Sequence, residues 1–283
     1  MEEARPSRTA WRVAERRAAH QIVDSPRVLD DPIAIPILGP GAEERLRAES
    51  GLRTWLSRSV RASMAARSRY AEDQLARAVE RGTRQYVILG AGLDTFGYRN
   101  PYADRGLRVF EVDHPATQGW KRKRLAVGRI VIPPSVTFTP VDFERQTLPE
   151  GLQQVGFDPS KPAFFSWLGV TMYLARETVF GTLRFVASCA PRGGVAFDYL
   201  MPYDTLSWSG RFLLRAMARR VARAGEPFRT FFMPEELRRE LTGMGFRAIE
   251  DLGGAEINER YFKGRTDGLK APGKIGRLLS AEV

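Results

Sequence analysis

Five short apolar runs, each typical of a buried strand, divide the middle of the chain. They lie at residues 86–89, 109–112, 136–139, 163–167 and 195–199. Helical patterns separate them at residues 115–127, just before Gly156 and at residues 176–190. Strands and helices that alternate at this spacing predict an α/β fold with a doubly wound, mostly parallel sheet. Right-handed crossovers then bring the C-terminal strand ends to one edge, where such sheets bind ligands.

The segments on either side of this alternation predict additions to the sheet. Helical patterns at residues 8–22 and 55–80 predict a helical cover formed by residues 1–84. Residues 207–224 predict a helix within an insertion near residues 203–230, which we expect to act as a lid. A helix at 234–244, a strand at 246–252 and an antiparallel strand at 256–263 complete a predicted seven-stranded sheet. We therefore expect a core at residues 85–263 and a glycine-rich, basic tail at residues 264–283.

A glycine-containing loop follows the first predicted strand and reads Gly90-Ala91-Gly92-Leu93-Asp94-Thr95. A Gly-x-Gly pair at this position lets the backbone pass close to a ligand and presents main-chain N–H groups. Asp113 closes the next strand, 23 residues after Gly90, where its carboxylate can accept both ribose hydroxyls of an adenine nucleoside. The two features together predict a site for a nucleoside cofactor.

The same loop distinguishes between nucleoside cofactors. A dinucleotide-binding loop carries a third glycine where this chain has Thr95, and the sequence has no Tyr-x-x-x-Lys pair of the short-chain dehydrogenase type. The carboxylate of Asp94 would repel a pyrophosphate. S-adenosylmethionine has no phosphate and carries a cationic sulfonium and amino group, so the loop favours the methyl donor over a nicotinamide dinucleotide.

The composition of the chain excludes several classes of protein and of binding site. The chain has 43% hydrophobic residues, which excludes a mostly disordered protein, and its single cysteine, Cys189, excludes an internal disulfide and suggests a cytoplasmic protein. No apolar run is long enough to span a bilayer. The formal charge is +11, but only six of the 44 cationic residues are lysines and no nucleic-acid motif accompanies them. We therefore expect no nucleic-acid partner and no metal site, since no His/Cys/Glu cluster has ligand spacing.

Several motifs in combination resemble the leucine carboxyl methyltransferase-like family, and most closely its actinobacterial O-methyltransferase branch. The motifs are the glycine loop, Phe110-Glu111-Val112-Asp113 with Pro115, Ala66-Arg67-Ser68-Arg69-Tyr70, residues 165–174, and residues 258–269 in the C-terminal part. The resemblance covers residues 10–270. It implies a Rossmann-like methyltransferase sheet and S-adenosylmethionine as the methyl donor.

Carried over position by position, the resemblance also implies the cofactor-binding residues. Arg67 would bind the methionyl carboxylate through its guanidinium fork, Asp113 would hold the ribose, and Asp142 would accept from the adenine amino group. Leu168 stands where family members often carry a glutamate, so backbone carbonyls around Trp167 would take the donor's amino group. The complete set of expected cofactor-binding residues is Arg67, Gly90, Ala91, Gly92, Asp94, Asp113, His114, Asp142, Phe143 and Trp167.

The sequence says less about the methyl acceptor than about the donor. A carboxylate acceptor is already ionised and needs no general base, whereas a phenol or alcohol needs one. The candidate catalytic or acceptor-orienting residues are His114, beside the cofactor, and Tyr173 and Tyr199, near strand ends. We expect a small-molecule acceptor, acidic or carrier-bound.

The inserted helix carries arginines at four-residue spacing, at positions 211, 215, 219 and 223. Three interpretations are open: the helix is a solvated lid, it recognises an acidic acceptor or carrier protein, or it contacts a membrane surface. The rival functions for the chain as a whole are a nicotinamide-dependent oxidoreductase and a non-catalytic protein that binds S-adenosylmethionine or an anion.

Overall fold

The structure, a computed structural model, describes residues 8–142, 145–189, 192–223, 225–273 and 275–283. Its helices are α1 (Arg8–Val23), α2 (Ala42–Ala48), α3 (Trp55–Glu80), α4 (Pro115–Val127), α5 (Leu148–Gln154), α6 (Arg176–Ser188), α7 (Trp208–Ala222), α8 (Pro234–Gly243) and α9 (Gly254–Tyr261). Its strands are β1 (Gln85–Leu89), β2 (Arg108–Asp113), β3 (Val136–Pro140), β4 (Ala163–Trp167), β5 (Gly194–Leu200), β6 (Arg247–Leu252) and β7 (Gly276–Glu282). The predicted α/β alternation is confirmed.

The seven strands form one sheet in the order β3-β2-β1-β4-β5-β7-β6. The pairings among β1 to β5 are all parallel, while β7 runs antiparallel between β5 and β6. The chain leaves β1 toward β2 on one side and returns to β4 on the other, so the strand order reverses at β1. The loops after β1 and β4 therefore diverge and open a crevice at the C-terminal edge of the sheet.

Helices cover both faces of the central strands. Every residue of β1 and of β4 is buried, which is why these strands read as continuous apolar runs rather than as alternating ones. One apolar cluster includes Phe165 and Phe197 with residues of α6 and α8, and the other includes Tyr86 and Phe164 with residues of α3. The sheet is thus a rigid, doubly covered platform that holds the loops at its edge.

Two predictions about the C-terminal part are wrong. Residues 256–261 belong to helix α9 and residues 262–263 to the turn after it, because Gly254 and Ile257 are buried at helical spacing against the sheet. The predicted tail at residues 264–283 contains β7, which fills the gap between β5 and β6 with Leu278 and Leu279 buried. The final, antiparallel strand does exist, but it lies farther along the chain than predicted.

A buried ion-pair cluster ties α1 to α3 within the helical cover. Arg61 donates from Nε and Nη2 to the two carboxylate oxygens of Asp24, each at 2.9 Å. His20 lies in the same cluster, with its Nδ1 2.9 Å from Asp24 Oδ2 and its Nε2 accepting from the Val28 amide at 3.0 Å. His20 is fully buried, so this histidine stabilises the cover rather than reaching a substrate.

We expect Asp24→Ala to destabilise the protein by about 3–5 kcal/mol at neutral pH, because it leaves the buried Arg61 without its partner. Burial alone would raise the pKa of Asp24, but hydrogen bonds from Arg61 and His20 outweigh it and lower that pKa to about 2. The stabilisation is therefore fully present above the unfolded-state pKa and is lost as the pH falls toward 2. Urea unfolding of both proteins from pH 7 to pH 2.5 should show the difference shrinking with acid. A constant difference would contradict this assignment.

The inserted segment between β5 and β6 packs against the end of β5 and the loop after β4. Leu214 of α7 is fully buried in a cluster with Met172 and Leu206. The chain after α7 returns toward the sheet. There the Arg229 amide donates to the carbonyl oxygen of Met172, and the Phe232 amide donates to that of Leu200 at the end of β5. No helix in the part of the chain that the structure describes has the length and apolar character needed to cross a membrane.

Candidate active site

The loop after β1 adopts a backbone conformation that only glycine accommodates easily. Gly90 has φ +66° and Gly92 has φ +44°. A Cβ atom on Gly90 would lie 2.5 Å from Val170 Cγ2, and one on Gly92 would lie 3.1 Å from the Cβ of Ala10 in α1. The glycines therefore allow the loop after β4 and helix α1 to close on the β1 loop from two sides.

Asp113, at the end of β2, holds this loop in place. Its Oδ2 accepts from the Gly92 amide at 2.6 Å and its Oδ1 accepts from the His114 amide at 2.7 Å. Burial raises the pKa of Asp113 above its usual range, and this effect outweighs the lowering by the two amide hydrogen bonds. The carboxylate borders the cavity beside the glycine loop, as predicted for a group that holds a ribose.

This raised pKa leads to a pH prediction. Protonation removes a hydrogen-bond acceptor, so affinity for the donor product S-adenosylhomocysteine should fall as the pH drops through the raised pKa of Asp113. The fall should begin at a less acidic pH than an exposed aspartate would give. Calorimetric titration between pH 7.5 and pH 4.5 would measure it. Asp113→Asn should bind more weakly with a flat profile, and an equal slope in both proteins would rule Asp113 out.

Arg67 borders the same cavity from helix α3 and is held from behind. Its Nη1 lies 3.3 Å from Oδ2 of Asp198 in β5, and the other oxygen of Asp198 accepts from the Gly169 amide. A Cβ on Gly169 would lie 2.6 Å from Arg67 Nη1, so the loop after β4 lies directly against the guanidinium. Asp198 and Gly169 therefore fix the orientation of a buried cation, as the predicted carboxylate-binding role requires.

A cavity of about 270 Å³ connects these groups. Its wall is formed by α1, α3, the end of β1 with the glycine loop, the end of β2, the start of α4, the loop after β4 and the inserted segment. The lining residues are Thr9, Ala10, Val13, Ala14, Arg17, Arg67, Ser68, Ile88, Leu89, Gly90, Ala91, Gly92, Leu93, Asp94, Asp113, Thr117, Leu168, Gly169, Val170, Tyr173 and Glu226. In this one cavity, the arginine suits the carboxylate of S-adenosylmethionine and the aspartate at the strand end suits its ribose hydroxyls. The glycine loop lets the part of the donor between these groups lie close to the backbone. The residues present fit this donor.

Asp94 borders the cavity too, but its charge is compensated. Its Oδ1 accepts from the Phe96 amide at 2.8 Å, and its Oδ2 lies 3.6 Å from Nη1 of the buried Arg17. Arg17 also contacts Asp31 and Thr95, so a buried network joins α1 to the glycine loop. Asp94 thus shapes the loop and ties α1 to it, in addition to lining the donor cavity.

The three candidate catalytic residues lie at different places relative to the cavity. Tyr173 lines the cavity with its ring centroid 5.4 Å from that of Phe228, and burial raises its pKa to about 12. Its hydroxyl therefore stays protonated at neutral pH and can donate a hydrogen bond. His114 is exposed, caps α4 by accepting the Ala116 amide at Nδ1 and is not among the residues that line the cavity, so its role beside the cofactor stays a prediction.

Tyr199 is wrong as a catalytic candidate. It is 1% exposed, packs on Phe232 in the core and donates to Asp251 Oδ2 at 2.7 Å. We expect Tyr199→Phe to cost about 1 kcal/mol of stability through the lost hydrogen bond. Product binding and methyl transfer should stay within about twofold of wild type, as checked by calorimetry and a donor-consumption assay. A large loss of turnover in the folded variant would return Tyr199 to the site.

Three further residues were predicted to bind the cofactor: Trp167, Asp142 and Phe143. The side chain of Trp167 is buried in the core, and the backbone segment that follows it lines the cavity through Leu168, Gly169 and Val170, so the contact of backbone carbonyls in this segment with the donor's amino group stays a prediction. Asp142 follows β3, next to the amide of Val141 that donates to the Asp113 carbonyl at 2.9 Å, so its adenine contact stays a prediction. Phe143 lies outside the described residues.

Sequence reasoning predicted the helical cover but not which residues of α1 line the cavity, and it missed two carboxylates. Asp198 lies behind Arg67, and Glu226 enters the cavity from the inserted segment. A signal for Asp198 was present, since it interrupts an otherwise apolar strand. Within the described residues, no group of three or more His, Cys, Asp and Glu side chains could hold a metal ion.

Comparisons with known proteins agree with this geometry. Residues 10–187 match the leucine carboxyl methyltransferase family. The Bacillus subtilis protein YktD, whose name describes an S-adenosylmethionine-dependent methyltransferase, is 33% identical over 279 residues, which cover 90% of this chain and 91% of that protein. A Frankia alni protein with a name of the same kind, FRAAL3718, is 34% identical over 65% of each chain.

Solved structures share the fold. A Thermobifida fusca structure described as a methyltransferase superposes with a TM-score of 0.56 at 18% identity, over 94% of this chain and 93% of that one. A Streptomyces avermitilis structure of a DUF574 family protein gives a TM-score of 0.54 at 17% identity, over 86% and 90% of the two chains. The matched motifs, the near full-length relative and the cavity agree, and the nicotinamide alternative is thereby set aside. The chain belongs to the leucine carboxyl methyltransferase family of S-adenosylmethionine-dependent methyltransferases.

Proposed function

We propose that the protein is an O-methyltransferase that transfers the donor's methyl group to a carboxylate oxygen of a small-molecule acceptor in the cytoplasm. The observation that carries the proposal is the position of Tyr173, which borders the cavity and whose hydroxyl is protonated at neutral pH. A protonated hydroxyl orients an anionic oxygen but does not remove a proton from an alcohol. An acceptor that is already ionised suits this site best.

Bound S-adenosylmethionine supplies a methyl group activated by its sulfonium. The chain's own part is to bind, orient and exclude water, which is what an in-line displacement needs from a protein. Arg67, oriented by Asp198, binds the donor's carboxylate, and Asp113 holds the ribose. Helix α1 closes the cavity over the glycine loop, and Arg17 with Asp31 fixes that helix in place.

The cytoplasmic location rests on Cys189, a buried free thiol that a reducing compartment preserves. The test of the reaction uses donor labelled on its methyl carbon and a panel of carboxylic acids, each paired with the corresponding alcohol or phenol. Methyl esters release methanol in mild alkali, whereas methyl ethers do not. We expect alkali-labile label from the acids and little from their partners. Label found mainly in alkali-stable products would overturn the carboxylate assignment and leave the donor site unaffected.

A further inference from the structure

Helix α7 turns an unusual surface toward solvent. Trp208 is 83% exposed and Phe212 is 69% exposed, and their rings stack with centroids 6.5 Å apart. Arginines on the same side of the helix are exposed as well: Arg211, Arg215, Arg219 and Arg223. At 100° per residue these six side chains fall within one face of the helix. We call this set the α7 face.

The α7 face is strongly cationic, and its helix is anchored to the protein. Helix α7 contains no acidic residue, and Arg211 anchors its first turn by donating to the carbonyl oxygens of Leu206 and Asp204. The opposite side of the helix packs on the protein through the buried Leu214. A row of positive charge about 20 Å long therefore faces outward.

The composition of the α7 face is that of a protein interface. Exposed Trp, Phe and Arg are the residue types enriched at such interfaces, and Trp and Arg dominate their binding energy, whereas lysine is depleted there. Helix α7 has no lysine. Guanidinium groups one helical turn apart match carboxylates one turn apart on an acidic helix.

A membrane surface fits this face less well. Helices that lie at a bilayer bury a continuous apolar face in the lipid. In α7 the apolar side already packs on the protein, and only the first turn presents two aromatic rings. The charge and the stacked rings together favour a folded acidic partner over a lipid surface.

The α7 face lies beside the cavity. The cluster that seats α7 includes Tyr173 and Met172, and Tyr173 lines the cavity, as does Glu226 shortly after the helix ends. A partner bound on α7 would be placed to deliver an attached acceptor into the site.

We infer that the α7 face binds an acidic helical carrier protein that presents the methyl acceptor on a flexible arm. The delivery step rests on the proposed function, but the docking itself does not require turnover. The test therefore measures binding, with S-adenosylhomocysteine affinity as a separate readout of the donor site.

The probe is a purified acyl carrier protein bearing its phosphopantetheine arm, titrated against the full chain at low ionic strength. We expect a dissociation constant in the range of tens of micromolar that weakens at least tenfold in 0.5 M salt. Arg215→Glu/Arg219→Glu should abolish binding, and Trp208→Ala should weaken it at least fivefold. All variants should keep wild-type melting temperature and affinity for S-adenosylhomocysteine.

The matched control is Arg238→Glu/Arg239→Glu, the same charge change at two exposed arginines of α8. It should change carrier affinity less than twofold. No binding of the carrier at low salt, or equal losses in the two double variants, would overturn the inference. So would binding to phosphatidylglycerol vesicles that the carrier does not displace, because that result assigns the α7 face to a membrane surface.

Discussion

Arg67→Ala is expected to lower the affinity for S-adenosylhomocysteine by at least 100-fold, about 2.7 kcal/mol or more. The reason is that Arg67 is a buried cation that pairs with one carboxylate, Asp198, and borders the cavity. Removing it leaves both Asp198 and the ligand's carboxylate uncompensated in a poorly solvated site. Isothermal titration calorimetry with purified protein measures the loss directly.

Arg69 provides the matched control. It lies two residues along the same helix and is half exposed, and it pairs with Asp73 one turn away at 2.7 Å. Arg69→Ala should change affinity for the product by less than twofold. Arg67→Lys, which keeps the charge but loses the fork, should give an intermediate loss. Equal affinities in the Arg67→Ala and Arg69→Ala proteins would contradict the assignment of Arg67.

Gly90→Ala is expected to have the second large effect, on both stability and binding. The added Cβ would stand 2.5 Å from Val170 Cγ2, at a residue whose φ is +66°. The left-handed conformation alone costs about 1–2 kcal/mol for a residue with a Cβ, and displacing the loop after β4 adds to it. We expect a loss of about 2–4 kcal/mol in unfolding free energy, with product affinity at least tenfold weaker.

Two further variants separate the steric clash with Val170 from the backbone strain at Gly90. Gly90→Ala/Val170→Ala removes the clash but keeps the backbone strain, so it should regain part of the lost stability. Gly181→Ala lies at an exposed position within α6 where a Cβ meets nothing within 4 Å. It should be neutral or stabilising by up to about 1 kcal/mol, as measured by urea unfolding. A Gly90→Ala protein as stable as Gly181→Ala would show that the β1 loop is not packed as described.

The central strands could be predicted from sequence because their burial is local information. A strand covered on both faces must be apolar throughout, and β1 and β4 show that pattern without help from the rest of the chain. Strand β7 could not be predicted in the same way. Its sequence mixes polar, small and apolar residues, and it becomes a strand only because β5 and β6, distant in sequence, leave a gap that it fills.

The residues of the site divide likewise into those set by neighbouring residues in the sequence and those set by the fold. The glycine loop and Asp113 were predicted because a turn and a strand end are read from neighbouring residues. The misplacement of Tyr199 has a simple cause, since successive strand residues face opposite sides of a sheet. Phe197 and Tyr199 belong to one core face of β5, which turns Asp198 to the other side, toward Arg67. Tyr199 and Asp198 are adjacent in one strand, so they could not both face Arg67.

The helical cover over the cavity was predicted, but the residues of α1 that face the cavity were not, because they depend on how α1 packs. The close approach of Ala10 to Gly92 and the buried contacts of Arg17 with Asp31 and Thr95 join segments far apart in the chain. No local pattern in residues 8–22 indicates which side of the helix meets the glycine loop. Tertiary packing, rather than helix propensity, decides it.

A crystal structure of the protein with S-adenosylhomocysteine bound tests most directly whether the cavity holds the donor between Arg67 and Asp113. We predict that the ligand's carboxylate contacts the guanidinium of Arg67, that both ribose hydroxyls donate to Asp113, and that its sulfur faces the part of the cavity bordered by Tyr173. A ligand bound in the reverse orientation, or outside the cavity lined by the glycine loop, would contradict the site described above.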